Sequence, residues 1–124
     1  ETDFVARTDE FQQLVHDLAM HIAATDPPFI RKEDVSPDVL EKEKQVQRER
    51  ALQEGKPARV LDKIIEGRLE KFYQEICLLE QPFVKDNSVT VGELITSKIA
   101  KLGEKIAVSR MARFKVGEDA PSSS

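Results

Sequence analysis

Residues 36–76 read SPDVLEKEKQVQRERALQEGKPARVLDKIIEGRLEKFYQEI, and this stretch carries the strongest signal for the fold. Ser36 provides a capping hydroxyl and Pro37 a proline at the first helical position, a pair that predicts a helix start. Gly55 predicts the end of that helix, and Pro57 begins a second one. Since so short a connection makes neighbouring helices run antiparallel, the stretch is predicted to form a helical hairpin.

On either side of the hairpin the sequence predicts one further helix. Upstream, a helix capped by Thr8 is expected to end before Pro27. Its core-facing stripe recurs at helical spacing and comprises Phe11, Leu14, Val15, Leu18 and Ile22. Downstream, Thr90 and Glu93 match the capping-box pattern and predict a helix start. Gly103 is expected to end that helix in a left-handed turn.

The last part of the chain alternates strictly between apolar and other residues. One side carries Ile106, Val108, Ala112, Phe114 and Val116, interrupted by Arg110. This period of two predicts a β-strand with one buried face, and such a strand requires partner strands. Short extended pieces are also expected around the turn at residues 80–82. The sequence therefore predicts an α+β fold in which helices pack on a small antiparallel β-sheet and an antiparallel helical hairpin protrudes.

Composition is that of a soluble protein with one modest domain. The 124 residues are 40% hydrophobic and 34% charged, with a net charge of −4. The single cysteine, Cys77, excludes an internal disulfide, and no run approaches the roughly 20 apolar residues of a membrane span. A cytoplasmic protein without membrane contact is expected. Residues 1–30 are acidic and residues 85–116 basic, but the basic end lacks the density of a nucleic-acid-binding surface.

Sequence patterns of catalytic and cofactor sites are missing from the chain. It contains no P-loop, dinucleotide fingerprint, nucleophile elbow or ligand-spaced cluster of cysteine and histidine. His16 and His21 are five residues apart and do not share a helix face, which argues against a metal pair. His21 is instead expected to be a partly buried, hydrogen-bonded side chain. The sequence therefore predicts a protein that acts by binding another protein, without enzymatic activity, metal or cofactor.

The amino-terminal run ETDFVAR, residues 1–7, places Phe4 between Asp3 and Arg7. The Phe4 ring could pack on the first turn of the following helix as a hydrophobic staple. It could equally form part of a contact edge for another protein. From the residues alone, both interpretations stay open.

Six motifs, taken together and in order, resemble the bacterial elongation factor Ts family. They are ETDFVAR (1–7), DLAMHIAA (17–24), GKP (55–57), IEGRL (65–69), LEQPFVKD (79–86) and KLGEKI (101–106). The resemblance implies one core domain, residues 1–116 including the hairpin 36–76. Residues 117–124 contain too few apolar side chains to fold and are expected to form a disordered tail. Because the chain enters the first motif at once, we expect a fragment that lacks the family's N-terminal helical domain.

Members of this family are guanine-nucleotide exchange factors for the translational GTPase elongation factor Tu, and the resemblance implies the same function and partner here. The family's Thr-Asp-Phe motif presses on the nucleotide-binding domain of the GTPase, where the phenylalanine resembles a wedge between helices near the magnesium and phosphate site. The matching residues are Thr2, Asp3, Phe4 and Val5. A second matching contact is the turn at Leu102 and Gly103. A third family contact, a histidine, falls outside this chain.

The resemblance also bears on the hairpin and on the pairing of chains. The hairpin is similar to the family's protruding coiled-coil element. An alternative function is therefore a docking or structural module that uses the hairpin, with exchange activity lost in the fragment. Short members of the family work as pairs, which implies a homodimer joined through edge strands. Some members lock this pair with a cysteine in the last strand. Ala112 lies in that neighbourhood here and the only cysteine is Cys77, so the dimer is expected to be noncovalent.

Overall fold

A computed structural model describes the backbone of residues 2–116 and the side chains of residues 9–112. In this part of the chain, helices and a small two-stranded antiparallel sheet form the predicted α+β fold. The elements are α1 (Thr2–Thr25), α2 (Pro37–Gln53), α3 (Ala58–Ile76), β1 (Pro82–Phe83), β2 (Asp86–Thr90) and α4 (Val91–Val116), with 3₁₀ turns at Lys32–Asp34 and Leu78–Glu80. The predicted tail at 117–124 lies outside the described residues.

Helices α2 and α3 form the predicted hairpin. The Ser36 hydroxyl accepts a hydrogen bond from the Val39 N–H at 3.4 Å, which caps α2. Gly55 has a φ of 80°, the left-handed conformation that glycine adopts most readily, and it turns the chain between the arms. Ala51 of α2 is completely buried against Leu61 of α3. Since alanine presents only a methyl group, the two arms can approach closely at this point.

The base of the hairpin is closed by backbone hydrogen bonds between the strand-like segments that enter and leave it. The Phe29 N–H donates to the Ile76 carbonyl at 3.1 Å, and the Leu78 N–H donates to the Phe29 carbonyl at 2.9 Å. Cys77, between these partners, is completely buried, and burial raises the pKa of its thiol. Among the described elements α2 packs mainly on α3, so α3 and this base connect the hairpin to the rest of the fold.

Helix α1 begins earlier than predicted. Its first residue is Thr2, and the helix continues through Thr8, which was expected to cap it. No glycine or proline occurs between residues 2 and 25, so nothing in the sequence stops helical hydrogen bonding from extending upstream of Thr8. Residues 2–7 of the amino-terminal motif are therefore part of the helix, whereas the sequence predicted that the helix would begin after them, at Thr8.

The predicted apolar stripe of α1 is only partly buried. Leu14 is buried as expected, but Phe11, Val15 and Ile22 are exposed. The residue that joins Leu14 on the buried side is His21, seven positions later, and it is completely inaccessible to solvent. The covered face of α1 is thus rotated away from the face with the most hydrophobic residues.

Helix α4 replaces both the predicted stop at Gly103 and the predicted strand at 106–116. It starts as expected, since the Thr90 hydroxyl and the Glu93 carboxylate form the capping box with each other's backbone N–H groups at 3.1 and 2.8 Å. Gly103 does not have the positive φ of a left-handed turn. Among the described glycines, Gly55 has one. A strand at 106–116 needs a neighbour to pair its backbone, whereas a helix satisfies those groups internally. The edge strand expected to join two copies is therefore not formed.

Candidate protein-binding surface

Helices α1 and α4 pack side by side and run antiparallel. At one end Glu10 of α1 forms an ion pair with Lys105 of α4. At the other end, Gln81 contacts His21 of α1 with its side chain, and its carbonyl accepts the N–H of Val91, the first residue of α4, at 2.9 Å. These two contacts fix the register between the helices, because they place Glu10 beside Lys105 and His21 near Val91. Residues of α1 and α4 that lie at the same height therefore have numbers that add up to about 112–115.

A buried hydrogen-bond network holds the junction of these helices. The Val84 N–H donates to His21 Nδ1 at 3.2 Å, so the ring hydrogen is on Nε2, which donates to Gln81 Oε1 at 2.8 Å. Gln81 Nε2 in turn donates to the Glu75 carbonyl at the end of α3, at 2.9 Å. One histidine and one glutamine therefore connect α1, α3, the β1–β2 turn and α4. The sequence indicated the hydrogen-bonded His21 but not Gln81, whose only signal was a polar residue within an apolar stretch.

An ion pair extends this junction toward solvent. Lys85 Nζ lies 3.1 Å from Asp17 Oδ1, and Gln13 Nε2 donates to the same oxygen at 2.9 Å. Burial works to raise the pKa of Asp17, but the hydrogen bonds from Lys85 and Gln13 hold it below its usual value. The carboxylate is therefore ionised near neutral pH and fixes the β1–β2 turn against α1.

The first group of predicted contact residues lies at the amino-terminal end of α1. Thr2, Asp3, Phe4 and Val5 occupy its first turns, and their side chains lie outside the described part of the chain. By the register of the helix pair, these residues are opposite roughly residues 110–113 of α4. The two predicted contact groups are thus on one helix pair, separated by roughly 13 Å along its axis.

The second group, Leu102 and Gly103, lies in the middle of α4. Leu102 is half-buried and Gly103 is exposed. A Cβ atom added to Gly103 would meet no atom within 4 Å among the described residues, so the glycine is not required by packing. Its backbone is helical, so it is not required by conformation either. A glycine inside a helix costs about 1 kcal/mol relative to alanine, and no close contact with the described residues compensates for that cost.

The described residues contain no cluster of metal ligands and no helix that could span a membrane. Within residues 9–112, no three histidine, cysteine, aspartate or glutamate side chains are grouped so that they could hold a metal ion. None of the helices in the described part of the chain is both long and apolar enough to cross a bilayer. The described surface includes helix faces and shallow clefts.

One such cleft runs along the hairpin between α2 and α3. It encloses about 450 Å³ and has Val46 and Phe72 among its lining residues. Charged side chains of both signs surround them, and Arg68 lies 2.6 Å from Glu54 across the arms. The lining is mostly polar, carries charges of both signs and includes two apolar side chains, a chemistry that suits a protein surface better than a strongly charged ligand.

Comparison with known proteins identifies the relationship. Residues 12–118 match the family described as Elongation factor TS. The chain is 70% identical to elongation factor Ts of Solibacter usitatus (strain Ellin6076) over 118 residues, which cover 95% of this chain and 56% of that protein. It is 62% identical to the elongation factor Ts of Moorella thermoacetica, with 95% and 58% covered, and 60% identical to that of Koribacter versatilis, with 95% and 54% covered. The chain spans about half the length of these curated relatives.

Proposed function

Because this chain belongs to the elongation factor Ts family, we propose that it is a guanine-nucleotide exchange factor that binds elongation factor Tu and promotes GDP release during translation elongation. It acts in the cytoplasm as a binding protein and not as an enzyme. The contact residues are Thr2, Asp3, Phe4 and Val5 on α1 together with Leu102 and Gly103 on α4.

The observation that carries this proposal is the family match over residues 12–118, and the open space around Gly103 supports a partner contact at that position. A helical glycine that neither the backbone nor the packing of this chain requires fits a surface that another protein approaches closely. Leu102, next to it, supplies an apolar side chain that is only half-buried. The packing of α1 against α4 supports the proposal, because the two proposed contact groups then belong to one helix pair.

The mechanism follows from thermodynamic coupling between two binding events. Burying the Phe4 side chain in the GTPase contributes about 2 kcal/mol, and this free energy favours the GTPase conformation that receives it. A factor that binds the nucleotide-free GTPase more tightly than the GDP-bound form must weaken GDP binding by the same ratio. Phe4 can therefore accelerate release without contacting the nucleotide.

The test is the rate at which labelled GDP dissociates from elongation factor Tu in the presence of this chain. Phe4→Ala should reduce the accelerated rate by roughly tenfold or more, because it removes most of the wedge. Ile30→Ala is the matched control, since Ile30 is an exposed apolar residue outside the α1–α4 pair. A Phe4→Ala chain as active as the unmodified one would remove Phe4 from the mechanism.

The hairpin cleft supports a second candidate function, a docking module without exchange activity. Its half-exposed Val46 is available to a partner, and both functions predict that elongation factor Tu is bound. They differ in the effect of Val46→Lys. The docking function predicts lost binding and no effect of the chain on GDP release, whereas the exchange function predicts accelerated release that this substitution leaves intact.

We also propose that the chain forms a noncovalent homodimer when its partner is absent. Its lone cysteine is buried and does not offer a covalent link. The edge strand that the sequence indicated as the dimer contact is helical, so the dimer must use a different surface.

A further inference from the structure

The cleft between α2 and α3 has the shape of a groove between two helices. On α2 its lining residues recur at helical spacing from Glu43 to Glu54, and on α3 they do so from Arg68 to Glu75. The α2 side corresponds to about three helical turns, or about 16 Å. The hairpin cleft therefore matches the periodicity and length of one face of a third helix.

The hairpin cleft contains cationic donors that lack acceptors. Arg50 on α2 and Lys71 on α3 both line it, and neither forms an ion pair within the part of the chain that the structure describes. Arg68 donates to Glu54 through Nη2, but its Nη1 is buried and has no hydrogen-bond partner among the described residues. Because a buried donor without an acceptor costs free energy, a ligand that brings an acceptor to Nη1 gains affinity.

Two of the three acids that line the cleft are already engaged. Glu43 accepts a hydrogen bond from Gln47 Nε2 at 2.7 Å, and Glu54 lies 2.6 Å from Arg68. The hydrogen bond from Arg68 is the main reason why the pKa of Glu54 is below its usual value, and the charge of Arg50 acts in the same direction. The end of the cleft near the hairpin tip therefore has an excess of positive charge, which an anionic group of a ligand would balance.

Apolar surface and open space accompany these cations. Val46 is 40% exposed and Phe72 is half-buried, so each arm contributes one apolar side chain to the cleft. Gly67 lies on α3 one turn before Lys71 and is exposed, and a Cβ atom added to it would meet no described atom within 4 Å. Another helix can thus approach α3 closely beside the cations.

The two acids Glu43 and Glu75 favour a protein over a nucleic acid as the occupant. Both line the same cleft and would repel a chain of phosphates, each of which carries a negative charge. A single carboxylate side chain can reach the cations without extending to these acids. Helices with an apolar stripe commonly bind in grooves between two helices, and such a stripe matches Val46 and Phe72.

We infer that the hairpin cleft binds an amphipathic helix of another protein that carries an aspartate or glutamate among its apolar residues. The carboxylate accepts hydrogen bonds from Arg68 Nη1, Arg50 and Lys71, and the apolar residues cover Val46 and Phe72. The inference rests on the docking function proposed for the hairpin and names the chemistry of the group that it receives. It does not depend on the exchange function proposed for α1 and α4.

Titration of the isotope-labelled full chain with synthetic peptides, followed by NMR, tests the chemistry. The probe is a helix-forming peptide of about 18 residues with a leucine stripe, alanines and glutamates, and the comparison peptide has glutamine at every glutamate position. The glutamate peptide should shift the amide resonances of Val46 and Phe72. It should bind roughly tenfold more tightly than the glutamine peptide, because charge-assisted hydrogen bonds are about twice as strong as neutral ones.

Two charge reversals on α3 test the position of the site. Lys71→Glu replaces a donor of the cleft by a repelling carboxylate and should weaken binding of the glutamate peptide by roughly tenfold or more. Lys63→Glu is the matched control, since Lys63 is also exposed on α3 but does not line the cleft. It makes the same change in net charge and should alter the affinity by less than about twofold. Circular dichroism checks that both variants keep their helices.

Each remaining outcome overturns one part of the inference. Equal affinity for the glutamate and glutamine peptides overturns the carboxylate, and equal losses in Lys71→Glu and Lys63→Glu overturn the cleft. Inorganic phosphate that shifts the resonances of Val46 and Phe72 as the peptide does would overturn the helix and leave an anion site. Because the titrations contain no GTPase, their failure leaves the exchange proposal standing, and a failed GDP-release assay leaves the peptide result standing.

Discussion

Replacing Gly103 by alanine should stabilise this protein and impair its exchange activity at the same time. The site is helical and exposed, and an added Cβ would lie more than 4 Å from every atom of the part of the chain that the structure describes. Alanine in a helix interior is favoured over glycine by about 1 kcal/mol, so the free energy of unfolding should rise by about that amount. For a chain of this length the midpoint of thermal unfolding should increase by about 3–6 °C.

Two other glycines make the expected effect of Gly103→Ala specific. Gly67 is exposed in α3 with the same open surroundings, so Gly67→Ala should stabilise equally and leave GDP release unchanged. At Gly92 a Cβ atom would lie 3.0 Å from the Leu79 carbonyl oxygen, so Gly92→Ala should destabilise the fold by about 1–3 kcal/mol. Calorimetry and the labelled-GDP assay measure the two properties on the same preparations.

The outcome that refutes this reasoning is a destabilised Gly103→Ala chain. It would mean that Gly103 adopts a left-handed conformation in solution, where alanine is strained, and that α4 ends there. A stabilised chain with unchanged GDP release would keep the helix but remove Gly103 from the partner contact. Stabilisation with slower release is the result that both the structure and the proposed function require.

Two further predictions concern the buried network and the ion pairs. His21→Leu should lower the free energy of unfolding by about 1–3 kcal/mol in urea titrations, because it removes the acceptor of the Val84 N–H and leaves Thr25 as the one remaining side-chain donor to Gln81 Oε1; an unchanged free energy of unfolding would contradict a stabilising role for this network. Acid should also destabilise the fold, since the hydrogen bond from Arg68 holds the pKa of Glu54 below its usual value. The stabilisation from the Arg68–Glu54 pair is complete above the unfolded carboxyl pKa of about 4.3. It is lost as the pH falls through the lower pKa that Glu54 has in the folded protein. Glu54→Gln should flatten the fall in thermal stability below that pH, and an unchanged profile would show that the pair contributes nothing.

The parts of the fold that depend on local signals could be predicted from the sequence. The cap at Ser36, the turn at Gly55 and the capping box at Thr90 act within a few residues, and the structure contains all three. The segment 106–116 could not be predicted in this way, because its alternating pattern forms a strand only when a neighbouring strand pairs with it. The pattern specifies two faces, but the available partner decides whether strand or helix forms.

The candidate contact residues, unlike the helix caps and turns, could not be predicted from local sequence signals. Thr2, Asp3, Phe4 and Val5 were identified by resemblance and remain a prediction. The open space at Gly103 depends on the packing of α1 against α4, which no local signal specifies. The exposure of Phe11 also contradicts the stripe expected for α1, because apolar periodicity identifies a face without identifying what covers it.

The closed base of the hairpin has a consequence for how this protein can change over evolutionary time. The hydrogen bonds of Phe29 to Ile76 and Leu78 tie together the points where the chain departs and returns. Helices α2 and α3 can therefore gain or lose whole turns together, while Phe29, Ile76 and Leu78 at the base of the hairpin keep their positions. Insertions and deletions there alter the reach of the projection, while the geometry of α1 and α4 is inherited unchanged.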